Sequence, residues 1–386
     1  MRKLLTLSLV LLMLVSCGQS QKITDSDTMT LLVYMAGNNQ LGAQNALNNI
    51  MAMKVSLGNS MGNCNLIAYV DRKDTIESCP VLLHIHDSQI DTLKRYPRQS
   101  SIDPSVMSDV IHDVLTDWKS EYYGLLLWSH GMGWLPTDQL HNVASNLNYA
   151  QTRSFGLEAN PGGDPAYKCM EIEDLASAIP DGVFDYIAFD ACYMGTVEVA
   201  YALRHKANFI ISSCFEIISY GFPYELVTRD LLNGNLENVC RQFYESYMKQ
   251  PGQDQIGGIS LVRTSGLEGL ASAFRDIVAN SSEDIGKIDI SDIQCFDRFY
   301  RHVFFDLENV VEKISTDDDA VKDFKAKLSE CISYSASTPY AYISEGDSLR
   351  IDRYCGLSVY LPFDSYECFG LNDDYRMTEW SKATNY

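Results

Sequence analysis

The chain has 386 residues, 46% of them hydrophobic and 11% aromatic, which is ample for a large buried core. Its 51 acidic residues against 30 basic ones give a formal net charge of -21, which argues against a nucleic acid partner, because phosphates demand Lys and Arg. The same field steers basic ligands inward.

Arg2-Lys3 and the apolar stretch from Leu4 to Val15 form a secretory signal, too short to span a bilayer. Leu14-Val15-Ser16-Cys17 then resembles a bacterial lipobox, so cleavage before Cys17 and lipid attachment to it are expected. The alternative is an ordinary signal peptide that happens to hold a cysteine. Removing residues 1–16 takes away Arg2 and Lys3, so the charge goes from -21 to -23 over 370 residues. Several acyl chains, palmitate included, anchor a protein stably where one does not. Gly18 at the next position points to the outer membrane, with the protein facing the periplasm or the cell surface. Residues 17–28 are polar and aperiodic, a flexible tether.

From Thr30 to Met35 the pattern is a strand, from Leu41 to Val55 a helix, and from Asn65 to Val70 a strand, the βαβ order of a parallel sheet. Val81 to His86 reads as an added strand or hairpin arm. Asp103-Pro104 opens a helix toward Trp118, with Val106, Val110, Val114 and Leu115 at helical spacing. That helix leads into the apolar run Leu125-Leu126-Leu127-Trp128-Ser129-His130-Gly131. Residues 137–167 are rich in Asn, Gly and Pro, which is loop chemistry. Glu171 to Ile179 is the next helix, and Phe184 to Phe189 the strand that ends in Asp190-Ala191-Cys192. Phe209 to Ser213 is another strand-like run. Beyond about Thr264 the pattern is more helical, with Leu267 to Val278 and Asp306 to Ile314, before a strand near 356–362. The expected architecture is an α/β/α sandwich over residues 29–265, with a mostly parallel central sheet, and a C-terminal subdomain over 266–386.

Short apolar runs bounded by turn formers read as buried parallel strands, and ligands gather at the carboxyl ends of such strands. His130 and Cys192 therefore leave the sheet at one edge. A thiol attacks as its thiolate, and a nearby imidazole takes its proton and later protonates the leaving amine. Gly131 lets its backbone N–H approach an oxyanion, with the Cys192 N–H as second donor. Either residue alone is more often structural; at matching strand ends they read as base and nucleophile. Asp190 shares one side of its strand with Cys192 and can meet an Arg side chain, although capping the following helix is an alternative role.

Other residues carry less chemistry. Cys17 and Cys192 account for two of the 11 cysteines, and the remaining nine lack regular spacing or any CxxC pair. His84-Ile85-His86 places two imidazoles on one strand face without a carboxylate pattern, so these read as surface or packing residues. Asp317-Asp318-Asp319 and Asn372-Asp373-Asp374 read as solvated surface.

Taken together, Ser129-His130-Gly131, Asp190-Ala191-Cys192-Tyr193-Met194-Gly195, Leu32-Val33-Tyr34-Met35-Ala36-Gly37-Asn38-Asn39 and Gly356-Leu357-Ser358-Val359-Tyr360-Leu361-Pro362 resemble the clostripain family of cysteine peptidases from about Met29 onward. The resemblance implies a caspase-like fold, a His130/Cys192 dyad without a third orienting residue, and endopeptidase cleavage after Arg or Lys. It places the specificity carboxylate at Asp190, with Glu216 as a second acid of the S1 pocket. In this chain Cys214 and Phe215 separate Glu216 from the preceding serine, where relatives have acids earlier. Self-cleavage in the 137–168 loop is implied, after Arg153 or, second, Lys168; a permanent lid beside the active site is the alternative role for so long a loop. Some members need calcium; Asn38 stands where relatives have Asp, and no obligatory metal or other cofactor is expected. Two alternatives stand beside this reading. One is a noncatalytic anchored lipoprotein that binds peptides or glycans on the same scaffold, and the other a transpeptidase whose acyl-enzyme is resolved by an amine.

Overall fold

The computed structural model describes residues 28–39, 42, 44–58, 61–72, 79–139, 155–159, 167–218, 220–252, 255–281, 285–344 and 347–386. Its strands are β1 (Met29–Gly37), β2 (Cys64–Arg72), β3 (Val81–His86), β4 (Gln89–Arg95), β5 (Tyr122–Trp128), β6 (Phe155–Ala159), β7 (Tyr167–Met170), β8 (Phe184–Asp190), β9 (Ala207–Ser212) and β10 (Gly258–Arg263). Short strands β11 (Phe305–Asp306), β12 (Ile332–Ser337), β13 (Tyr340–Ser344), β14 (Asp347–Arg350) and β15 (Ser358–Val359) follow.

Nine strands form one sheet in the order β12-β10-β9-β8-β5-β1-β2-β3-β4. The inner five, β9-β8-β5-β1-β2, run parallel, and the flanking strands are antiparallel. All nine residues of β1 are buried because both faces of the sheet are covered. Leu31, Val33 and Met35 pack toward Ile50 and Met53 of the helix Asn45–Leu57 and toward Val227 and Phe243. Leu32, Tyr34 and Ala36 face Met107 and Val110 of the helix Pro104–Asp117 and the layer that includes Leu175. This alternation divides the interior into two cores, the three-layer sandwich expected from the sequence. Each fully buried aliphatic side chain contributes about 1.5–3 kcal/mol.

Residues beyond 266 are joined closely to this frame. The helices Leu267–Asn280, Leu307–Ile314 and Asp318–Cys331 bury Phe274, Val310 and Phe324 against the larger core, and β12 pairs antiparallel with β10 at the edge of the main sheet. β15 pairs with β11 in a separate ribbon, while Ser358 N donates to Gly195 O at 2.9 Å. The stretch read as loop over 137–167 holds β6, which pairs with β7. Cys17 and Arg153 lie outside the described residues. Among the described residues, no helix is long and apolar enough to cross a membrane.

Candidate active site

Residue pairing across β5 and β8 sets the geometry. Leu125 lies opposite Ile187, and the register continues to Trp128 opposite Asp190. His130 and Cys192 each lie two residues beyond those partners. Both line one cleft of about 190 Å³, together with Asp190, Glu216, Ile217 and Arg298. The structure thus brings together the imidazole and thiol read from the sequence, and both acids with them.

The His130 turn is tied down on two sides. Ser129 donates from Oγ to Ala36 O at 2.6 Å, and Asn39 Nδ2 donates to Ala36 O at 3.1 Å. This is the physical role of the distant Leu32–Asn39 stretch: the end of β1 clamps the residue before the histidine. From the other side, Gly156 N in β6 donates to His130 O at 3.0 Å. Burial alone pushes the His130 imidazole down to about 4, so at neutral pH it is uncharged, and its protonation is disfavoured until a charge partner enters the cleft.

Cys192 opens a tight turn. Tyr193, next in the chain, has φ +57°, a left-handed conformation that costs a side-chain residue about 1–3 kcal/mol. It is held by its N–H to Phe215 O at 2.9 Å and by stacking on Phe304 at 5.0 Å. Thr196 then caps the helix Val197–Ala202 by accepting from Val199 N. Below the turn, β15 bonds to Gly195, and Glu198 accepts from Tyr360 N at 3.0 Å, which explains why the late Gly356–Pro362 stretch belongs to the site. The Cys192 sulfur accepts from Ile217 N at 3.3 Å and lies 3.5 Å from Ile217 O. Burial pushes its thiol well up; the Glu216 charge adds to the rise, and the Ile217 N–H and Arg298 oppose it. Both shifts favour the uncharged forms, thiol and imidazole. Among the described residues, no carbonyl takes the N–H of Gly131 or of Cys192.

Asp190 sits at the cleft floor, 5% exposed. Its Oδ2 accepts from Tyr224 Oη at 2.6 Å and from Phe222 N at 3.3 Å. Neither donor takes Oδ1. Gly221, at φ +60°, turns the chain so closely against the carboxylate that a Cβ there would fall 2.8 Å from Oδ2. Burial raises the Asp190 carboxyl to about 6, with Tyr224 and Phe222 opposing. The helix after Cys192 is capped by Thr196, so capping is not the task of Asp190.

Glu216 is differently placed. Its Oε1 accepts from Arg298 Nε at 2.8 Å, an ion pair that no local pattern of residues announces. Burial pushes this carboxyl up while the Arg298 guanidinium pulls it down. Lys168 lies in β7 opposite Glu158, away from this cleft. His84 stacks on His86 and packs at a tilt against Trp118, and His86 bonds to Asp91 at 2.8 Å. Nine cysteines among the described residues are free thiols.

The clostripain family profile matches residues 33–386. Clostripain of Hathewaya histolytica is 23% identical over 408 residues, spanning 86% of this chain and 74% of that protein. An inactive zymogen C11 protease from Parabacteroides distasonis superposes with TM-score 0.78 at 30% identity, covering 93% of this chain and 99% of that one. A secreted C11 cysteine protease from Bacteroides thetaiotaomicron, in complex with an irreversible peptide inhibitor, gives TM-score 0.76 at 28% identity over 93% and 99%. A profile match over nearly the whole chain, on a fold shared with these enzymes, means that the protein belongs to the clostripain family of cysteine peptidases.

Proposed function

We propose that the protein is an endopeptidase that cuts after Arg or Lys, with Cys192 as nucleophile and His130 as base. Substrate entering the cleft brings its carbonyl to the sulfur; His130 removes the thiol proton as Sγ bonds to the carbonyl carbon. The N–H groups of Gly131 and Cys192 receive the oxyanion. Collapse of that intermediate breaks the C–N bond, and the amine leaves with the proton held by His130. Water, deprotonated by the same imidazole, then releases the acyl group and restores the thiol. That the neighbour from Bacteroides thetaiotaomicron carries an irreversible peptide inhibitor supports a peptide substrate.

The observation that carries the basic preference is Asp190: a buried carboxylate on the cleft floor, held through Oδ2 alone and leaving Oδ1 for a guanidinium or ammonium. Glu216 adds negative charge to the same cleft only to the extent that Arg298 leaves it uncompensated. Self-processing falls after Arg153, close before β6, in preference to Lys168, whose strand pairing with β6 withholds it from a second active site. The relative that is an inactive zymogen supports a processing step. Lipid on Cys17 holds the enzyme to the outer membrane, and no metal is required.

The deciding experiment uses full-length chain in detergent with fluorogenic peptides ending in Arg, Lys or a neutral residue. Turnover of the basic peptides, lost in Cys192→Ala, is expected. Equal turnover of neutral and basic peptides removes the specificity reading; no turnover of any, with no labelling of Cys192 by an Arg chloromethyl ketone, makes the protein a binder.

A further inference from the structure

Arg298 belongs to none of the motifs above, yet it reaches the cleft from the C-terminal part of the chain. Its Nε is 2.8 Å from Glu216 Oε1, with side chains only 18% and 10% exposed. The rest of the guanidinium is fixed as well: Nη1 donates to Ile343 O in β13 at 3.2 Å, and the Tyr342 ring lies 5.2 Å away. A buried, charge-assisted pair anchored at its far end is a rigid strut.

What the strut holds is the segment that grips the nucleophile. Glu216 stands between two residues whose backbones touch the Cys192 turn. Phe215 O accepts from Tyr193 N at 2.9 Å, and Ile217 N donates to Cys192 Sγ at 3.3 Å. The left-handed Tyr193 persists only while its neighbours over-determine it. Moving Glu216 shifts both contacts, and with them the sulfur and the Cys192 N–H.

We infer that Arg298 is a positioning residue for Cys192, acting through Glu216 to fix residues 215–217 and so the direction of the sulfur. The inference rests on Cys192 being the nucleophile and is independent of the preference for basic residues.

Its test compares full-length Arg298→Met, Arg298→Lys and the double variant Glu216→Gln/Arg298→Met with the parent. Three readouts are taken: kcat and KM on an Arg peptide, the iodoacetamide labelling rate of Cys192 measured on its own tryptic peptide, and thermal unfolding. Misplacement by about 1 Å is expected to lower kcat roughly 10- to 100-fold in Arg298→Met, with KM within about 3-fold and labelling slowed in parallel. Arg298→Lys recovers most of both. The double variant removes the uncompensated buried carboxylate, so it decides the matter if Arg298→Met does not fold; it is expected to stay slow because the strut is gone. A folded double variant with parental kcat and labelling rate overturns the inference. So does a loss confined to KM with labelling unchanged, which makes Arg298 a substrate-binding group. If Cys192→Ala proves as active as the parent, the nucleophile reading itself has failed, a result none of the Arg298 variants can mimic.

Discussion

A Cβ added to Gly131 would lie 2.4 Å from Cys192 O and 3.1 Å from Cys192 N. The residue after His130 therefore packs so closely on the backbone of Cys192 that no side chain fits between them. Gly131→Ala must push the two strand ends apart and tilt both N–H groups. We expect kcat to fall about 100- to 1000-fold, the loss seen when one oxyanion donor is removed. KM and thermal stability should move much less, and a fall in kcat below tenfold in a folded variant would count against the oxyanion role.

The raised Asp190 carboxyl sets a pH dependence. Recognition of a basic side chain needs the charged form, so kcat/KM on Arg peptides should drop about tenfold per pH unit below about 6. His130, held down to about 4, does not produce that limb. Measured on Asp190→Asn, the limb near 6 should vanish along with most of the activity. If it persists unchanged, another group titrates there.

The same shift has a stability consequence of opposite sense. A carboxyl raised in the folded state favours folding below its unfolded value, near 3.9, and that contribution is lost as pH rises through about 6. At pH 7.5 the ionised, buried Asp190 is therefore a burden. Asp190→Asn, which can still accept from Tyr224 and Phe222, should stabilise the protein by about 1 kcal/mol at pH 7.5 and by little at pH 4.5. Denaturant titrations at both pH values check this; a destabilised variant at pH 7.5 contradicts it.

Intact mass reports on self-processing. Parent enzyme is expected as two fragments divided after Arg153, and Cys192→Ala as one uncut chain. Identical full-length masses for both exclude the event.

Chelation with EDTA should leave activity within about twofold, since the acids that invite calcium are already engaged. Asp317 accepts from Asp319 N and Ala320 N at a helix start, Asp373 pairs with Arg376 at 2.6 Å, and Asn372 donates to Phe363 O. Loss restored by calcium alone would show that a site exists elsewhere.

The inner sheet and the meeting of His130 with Cys192 in one cleft were legible because central parallel strands are apolar on both faces and leave a contrast where they end. β5 and β8 are such runs, and His130 and Cys192 are the first reactive groups beyond them. β12 escaped notice because Ile332-Ser333-Tyr334-Ser335-Ala336-Ser337 is a half-polar edge strand with no apolar run. Arg298, Ile217 and Tyr224 escaped for another reason. Their roles depend on what tertiary closure brings beside Cys192 and Asp190, and no local pattern marks an arginine that will find a glutamate on another loop.

β15 comes late in the chain, yet Ser358 N bonds to Gly195 O and Thr196 bridges Ser358. A chain made only as far as residue 350 already holds His130 and Cys192 but lacks the brace beneath the Cys192 turn. Translation order thus orders assembly: the turn that carries Cys192 receives its support from β15 only once the last stretch has been synthesised.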